Sequence, residues 1–128
     1  VVGTMNRAQQ TYLLQAGQFA DKDEFGELGL GIKTITQNYK YVIADGGAGK
    51  SVVTNQAQLI NSGAPLKSYV GGVVIGTITD TSETTSLAVL CEAKKAGSAA
   101  GPDGTQLAKL NNNLPECPDA TNWKDLSS

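Results

Sequence analysis

The chain contains no histidine. That absence removes the commonest general base near neutral pH and the commonest metal ligand together. Blocks of like charge are also missing. The 10 basic and 12 acidic residues are spread along the chain and leave a net charge of −2, which argues against a nucleic-acid groove and a polybasic membrane patch. No apolar run approaches the roughly 20 residues needed to span a bilayer, and no signal-peptide pattern is present. The chain opens Val1-Val2-Gly3 without an initiator methionine, so a processed or trimmed soluble piece is expected. Aromatics make up only 5% of the residues, but 40% are hydrophobic and 15 are glycine. That balance fits a globular domain with many turns rather than a disordered chain.

Cysteine is nearly absent, with Cys91 and Cys117 alone in 128 residues. Their separation does not match zinc or redox motifs built on CxxC. A disulfide is the simpler reading and places the protein outside the reducing cytosol. Two unpaired buried thiols are the alternative. The length suits one domain with a modest core, where a single crosslink matters.

Among what is present, residues 1–17 carry the clearest helical pattern. Met5, Ala8, Tyr12, Ala16 and Phe19 recur at spacings of three and four, which predicts a packing face against the rest of the domain. Asn6, Arg7, Gln10 and Gln15 are assigned to the other faces, and Leu14 lies opposite the stripe. Gly17 supplies a stop. Core packing explains the stripe, so no cofactor is expected. Residues 18–38 read as a connector, with a charged stretch from Asp21 to Glu27 and then alternating Leu28, Leu30 and Ile32 that suggest an extended path.

Strand signals occupy residues 39–92. Tyr39 to Ala44 is short, aromatic and β-branched; Ser51 to Ile60 alternates weakly; Leu66 to Thr79 is the strongest run. Gly71 and Gly72 inside it predict a bulge or a close backbone approach. Asp80 to Thr84 reads as a polar turn and Thr85 to Cys91 as the next strand. Short polar connections favour an antiparallel meander. Residues 93–128 show little regular pattern and need a tether, which a Cys91–Cys117 bond would supply. The expected fold is therefore α+β, a single domain with an N-terminal helix packed on an antiparallel sheet and an irregular, disulfide-tethered C-terminal region.

One motif imitates a nucleotide site. Ala44-Asp45-Gly46-Gly47-Ala48-Gly49-Lys50-Ser51 fits a relaxed phosphate-loop pattern after a strand, and Asp80 at the end of a later apolar strand could be imagined as a magnesium ligand. A phosphate loop must open a helix. Here Ser51-Val52-Val53-Thr54-Asn55 follows, a poor helix former suited to a strand, so a glycine-rich hairpin turn is expected and no nucleotide. The Asp80–Thr85 stretch lacks the spacing of a helix-flanked calcium loop. No carboxylate pair or metal set stands out, and no enzyme activity is expected.

Several segments together resemble a known family: Gly3-Thr4-Met5-Asn6-Arg7-Ala8-Gln9-Gln10-Thr11-Tyr12, then Phe19, Leu28-Gly29-Leu30-Gly31-Ile32 and Asn38-Tyr39-Lys40-Tyr41-Val42-Ile43. Leu66-Lys67-Ser68-Tyr69-Val70-Gly71 and Leu90-Cys91-Glu92-Ala93 resemble later segments of the same group. Their order is similar to that in the heads of cyanobacterial type IV pilins, a group related to the G and H pseudopilins of type II secretion. The likeness spans about residues 3–92 and loosens from Gly97. It implies a pilin head, a variable C-terminal region often closed by a disulfide, and an upstream apolar helix half that this chain lacks.

The resemblance also implies a structural subunit of a surface filament that serves motility, adhesion or DNA uptake. Other pilin subunits would be its partners, with membrane contact only through the missing helix and inner-membrane anchoring before assembly. Leu14 becomes a candidate filament contact. A pseudopilin, or a minor pilin at a filament tip whose loops bind a ligand, is the alternative; a nucleotide-using enzyme is the remote one.

Overall fold

A computed structural model describes residues 1–31, 33–78 and 83–126. Ile32 and residues 79–82, singled out above, lie outside the described residues. Helix α1 runs Val2–Ala16 and is rich in Ala, Leu, Met and Gln, which lose little side-chain freedom in a helix. It stops at Gly17, whose left-handed backbone (φ 75°) lets its N–H donate to Leu13 O at 2.9 Å.

The connector that follows is more ordered than its sequence suggests. A 3-10 segment at Lys22–Leu28 is closed by a capping box in which Asp21 and Glu24 each take up the other's backbone N–H. Leu28 and Leu30 are partly buried against the core. Gly29 and Gly31 turn left-handed (φ 66° each), so this stretch is bent rather than extended.

Four strands succeed one another as β1 (Tyr39–Ala44), β2 (Val52–Leu59), β3 (Tyr69–Ile78) and β4 (Glu83–Ala93). All pair antiparallel with their sequence neighbours. The segment from Lys94 on, here called the strap, is less irregular than expected. It forms a hairpin of β5 (Lys109–Asn111) and β6 (Leu114–Glu116), then adds β7 (Trp123–Asp125) beside β4. The main sheet has the order β1-β2-β3-β4-β7.

The sheet is covered on both faces. On one, α1 and the connector build a core of Met5, Leu13, Phe19, Ala20, Ile43, Val53 and Val73. On the other, the strap covers Val70, Val89, Cys91 and Ala93 with Trp123 and the partly buried Cys117. Interior strand β2 is consequently buried at five successive positions, Val53 to Ala57, which erases the alternation of a one-sided strand.

Gly71 and Gly72 belong to this sandwich. The register runs through them without interruption, Gly71 opposite Leu90 and Gly72 opposite Val89, so no bulge forms. A Cβ on Gly71 would collide with the Asn6 amide and Val2, while one on Gly72 would lie 2.6 Å from Ala108 Cβ. One glycine admits the helix and its neighbour admits the strap.

Candidate functional site

The helix stripe expected from the sequence is rotated. The buried residues of α1 are Val2, Met5, Asn6, Gln9 and Leu13. Ala8 and Tyr12 lie at the margin and Ala16 is exposed. Phe19 is fully buried but stands beyond the helix end, bridged to Gly47. Of the expected face, Met5 lies within the helix–sheet contact, Phe19 joins the core from the connector, and Ala16 does not pack at all. The physical reason is that two amides displace apolar residues from the contact line, because they meet buried polar groups that an apolar side chain would strand.

Asn6, assigned to a solvent face by sequence, is 4% exposed. Its Nδ2 donates to Val89 O at 2.9 Å and its Oδ1 accepts from Asn55 Nδ2 at 2.9 Å. Gln9, fully buried, grips the backbone of Ala20 from both sides. Ala20 N donates to its Oε1 at 2.9 Å, and its Nε2 donates to Ala20 O at 3.0 Å. Sequence reasoning missed these residues. The available signal was that Val2, Met5, Asn6, Gln9 and Leu13 share the spacing of one helix face once amides are allowed on it.

At the margin, Tyr12 Oη lies 2.7 Å from Glu24 Oε2 and 3.0 Å from Glu27 Oε2, joining α1 to the 3-10 segment. The hydrogen bond to Glu24 raises the phenol pKa and, in return, holds the Glu24 carboxyl below the usual carboxylate range. Leu14 is left bare at 83% exposure, the most open of the large apolar side chains among the described residues. Its exposed neighbours on α1 are Arg7, Thr11 and Gln15.

Near the start of α1, Tyr39, Tyr41, Tyr69 and Leu90 line an open cavity of about 280 Å³ with Val2 and Gly3. Tyr69 donates to Glu92 Oε2 at 2.8 Å, and Lys67 pairs with the same carboxylate at 3.7 Å. The bond to Glu92 pushes the Tyr69 pKa up to about 12. Tyr39 Oη donates to Lys67 O at 2.7 Å, so the tips of Tyr39 and Tyr69 are both anchored.

The strap is tethered covalently. Cys91 and Cys117 are bonded, with S–S 2.07 Å and Cα–Cα 5.8 Å. Sheet side chains serve its backbone: Thr54 Oγ1 accepts from Ala108 N at 3.1 Å, Gln56 Nε2 donates to Gln106 O at 2.8 Å, and Ser68 Oγ donates to Pro102 O at 2.8 Å. Trp123 is 2% exposed, and its Nε1 is the single buried side-chain polar atom without a partner among the described residues.

The glycine-rich loop joins β1 to β2 as a hairpin connection, and strand β2 follows Lys50–Ser51. Gly47 N donates to Phe19 O at 2.9 Å, and a Cβ on Gly46 would collide with the carbonyl of Ala20. These glycines let the loop lie against the chain leaving α1. Among the described residues no group of three or more acidic or cysteine side chains is arranged to hold a metal. Nor is any helix long and apolar enough to cross a membrane.

The most open large apolar side chain among the described residues, Leu14, thus stands on the side of α1 turned away from the sheet. Residues 1–118 match the family described as type IV pilin-like G and H, which extends the likeness through the disulfide and most of the strap. No curated protein and no solved structure gives a significant match.

Proposed function

The chain belongs to the type IV pilin-like G and H family, and from that premise we propose that it is a structural subunit of a type IV pilus. The observation that carries the reading is the match over residues 1–118, which takes in α1, strands β1 to β4 and the crosslink alike. Family members are structural proteins, and their assembly with other pilin subunits implies a self-contacting surface. The geometry offers one: α1 turns one side to the sheet and leaves Leu14, at 83% exposure, on the other. An isolated exposed leucine is common on protein surfaces. Here it sits on the element through which pilin-like subunits would be strung together.

In this reading the head stands at the cell surface and reaches it from an inner-membrane anchor supplied by an upstream apolar segment. Leu14 packs against a neighbouring subunit in the shaft, in support of motility, adhesion or DNA uptake. Immunogold microscopy with antibodies to this head tests the proposal. Labelled filaments are expected from cells producing the natural full-length protein, and Leu14→Asp should abolish them while the head is still made. Label along the whole shaft marks an abundant subunit; label at the ends alone marks a minor one. Head protein that never appears on filaments overturns the reading.

A further inference from the structure

Beneath α1 lies a run of amides whose placement exceeds what burial alone requires. Asn6 and Gln9 are 4% and 0% exposed, and Asn55 on β2 is 0% exposed. They connect backbone groups from opposite sides of the helix. Asn6 Nδ2 donates to Val89 O on β4 at 2.9 Å, Asn55 Nδ2 donates to Asn6 Oδ1 at 2.9 Å, and Gln9 exchanges bonds of 2.9 and 3.0 Å with the Ala20 backbone. The chain of contacts thus runs from β4 through the helix and β2 to the connector. Gly71 keeps the space open, since a Cβ there would collide with the Asn6 amide.

Apolar contact is non-directional and scales with area. A helix resting only on Met5, Leu13 and valines could slide along its axis while keeping most of its buried area. Hydrogen bonds are short-ranged and angular. Displacement by one residue, about 1.5 Å of rise, breaks them and strands several buried amides at once, at a desolvation cost that apolar packing would not impose. A buried polar residue that fixes register has precedent in single asparagines at helix–helix seams.

We propose that Asn6, Asn55 and Gln9 form an axial lock that holds α1 in one register against the sheet and resists its being drawn out lengthwise. The lock matters most if the helix carries tension, so its functional use rests on the filament reading. Its existence does not, and the test uses this chain alone.

The informative variant is Asn6→Leu/Asn55→Leu, which replaces both amides of the Asn6–Asn55 bond by apolar groups of similar size and removes only the side-chain donor to Val89 O. Wild type and variant are held between the start of α1 and the C-terminal end in a single-molecule force experiment, with thermal melting and amide exchange measured in parallel. The expected result is a melting temperature near that of wild type. Detachment of α1 at fixed load should quicken by about tenfold, as the loss of one or two net hydrogen bonds predicts, and exchange should rise across Val2–Ala16. If the double variant does not fold, Asn55→Ala breaks the Asn6–Asn55 link and leaves the Asn6–Val89 bond in place; it should show the same quickening in weaker form. Equal detachment rates and equal helix protection in a folded variant would show that the amides only fill space and would overturn the proposal. Failure of the immunogold test with quickened detachment here would reject the filament and keep the lock.

Discussion

On its helix side the sheet meets an element that already satisfies its own backbone, whereas on the strap side it meets one that does not. Helix α1 brings the buried amides of Asn6 and Gln9 to the contact, which reach out to β4 and the connector, and the part-buried Gln10 adds a bond to Ser86 Oγ on β4. Across the sheet the direction reverses. Thr54, Gln56 and Ser68 project from the sheet to serve the backbone of the strap, and the disulfide adds a covalent hold. A buried irregular segment carries backbone polar groups that must find partners, so the surface beneath it has to be polar at chosen points. The same sheet therefore needs two different kinds of face.

The largest test of this contrast removes the covalent hold. Cys91→Ala/Cys117→Ala should cost roughly 3.5 kcal/mol on a chain-entropy estimate for a loop of this size, read as a lowered melting temperature. Amide protection should fall first at strap positions such as Ala108 and Leu126 and last in α1. Simultaneous loss on both sides would mean that the two faces are not separable.

A sharper comparison comes from adjacent glycines. Gly71→Ala presses on the locked Asn6 amide and Gly72→Ala on Ala108 of the strap. Each should destabilise by ~1–3 kcal/mol, as overpacking does, with Gly71→Ala the worse because the strap can lift and the helix cannot. Urea midpoints in the reverse order would break the argument.

The pH dependence should be smaller and confined to the helix side. The Tyr12 hydroxyl holds Glu24 below the usual carboxylate range. A depressed carboxyl contributes stability that is present above its unfolded pKa and is lost as pH falls through the folded value. Tyr12→Phe should therefore flatten the acid limb of the stability profile and leave its neutral plateau close to unchanged in shape. An unaltered acid limb would show that the Tyr12–Glu24 bond contributes nothing in solution. The smallest effect is expected from Leu14→Asp, within about 0.5 kcal/mol for an exposed site, measured by the same melts that follow the isolated head. A substantial loss would place Leu14 inside the fold and remove it as an assembly contact.

Much of the architecture could be read from local pattern. The helix end at Gly17, strand β1 at Tyr39–Ala44 and the meander order all follow from propensity, turn chemistry and short connections. The helix azimuth could not, because hydrophobic periodicity gives no weight to a glutamine whose partners are backbone groups 11 residues away at Ala20. Strand β2 alternated weakly because both of its faces are covered, by the helix side and by the strap, from residues far away in sequence. Trp123 to Asp125 gave no strand signal since three residues carry no period; pairing with Cys91 to Ala93 makes the strand. The proposed assembly contact was legible only as a residue left over, Leu14, once the packed side had been assigned.

The sheet's outer margins bear on how such a molecule can be stored and used. At one margin, the bends before β1 return to it: Tyr41 N donates to Thr34 O at 2.7 Å and Thr36 N to Tyr39 O at 2.8 Å. At the other, β7 extends for only three residues. Long bare strand edges recruit one another without regard to orientation. A protein held at high local density gains from shortening such edges. The returning bend hinders strand addition at the β1 margin, whereas at the other β7 pairs with β4 only at Cys91 to Ala93, and no other strand among the described residues lies along that side of β4. On the pilus-subunit reading, whether copies end as a filament or as a precipitate then turns on the part of β4 that precedes Cys91 as much as on the side chains proposed to join them.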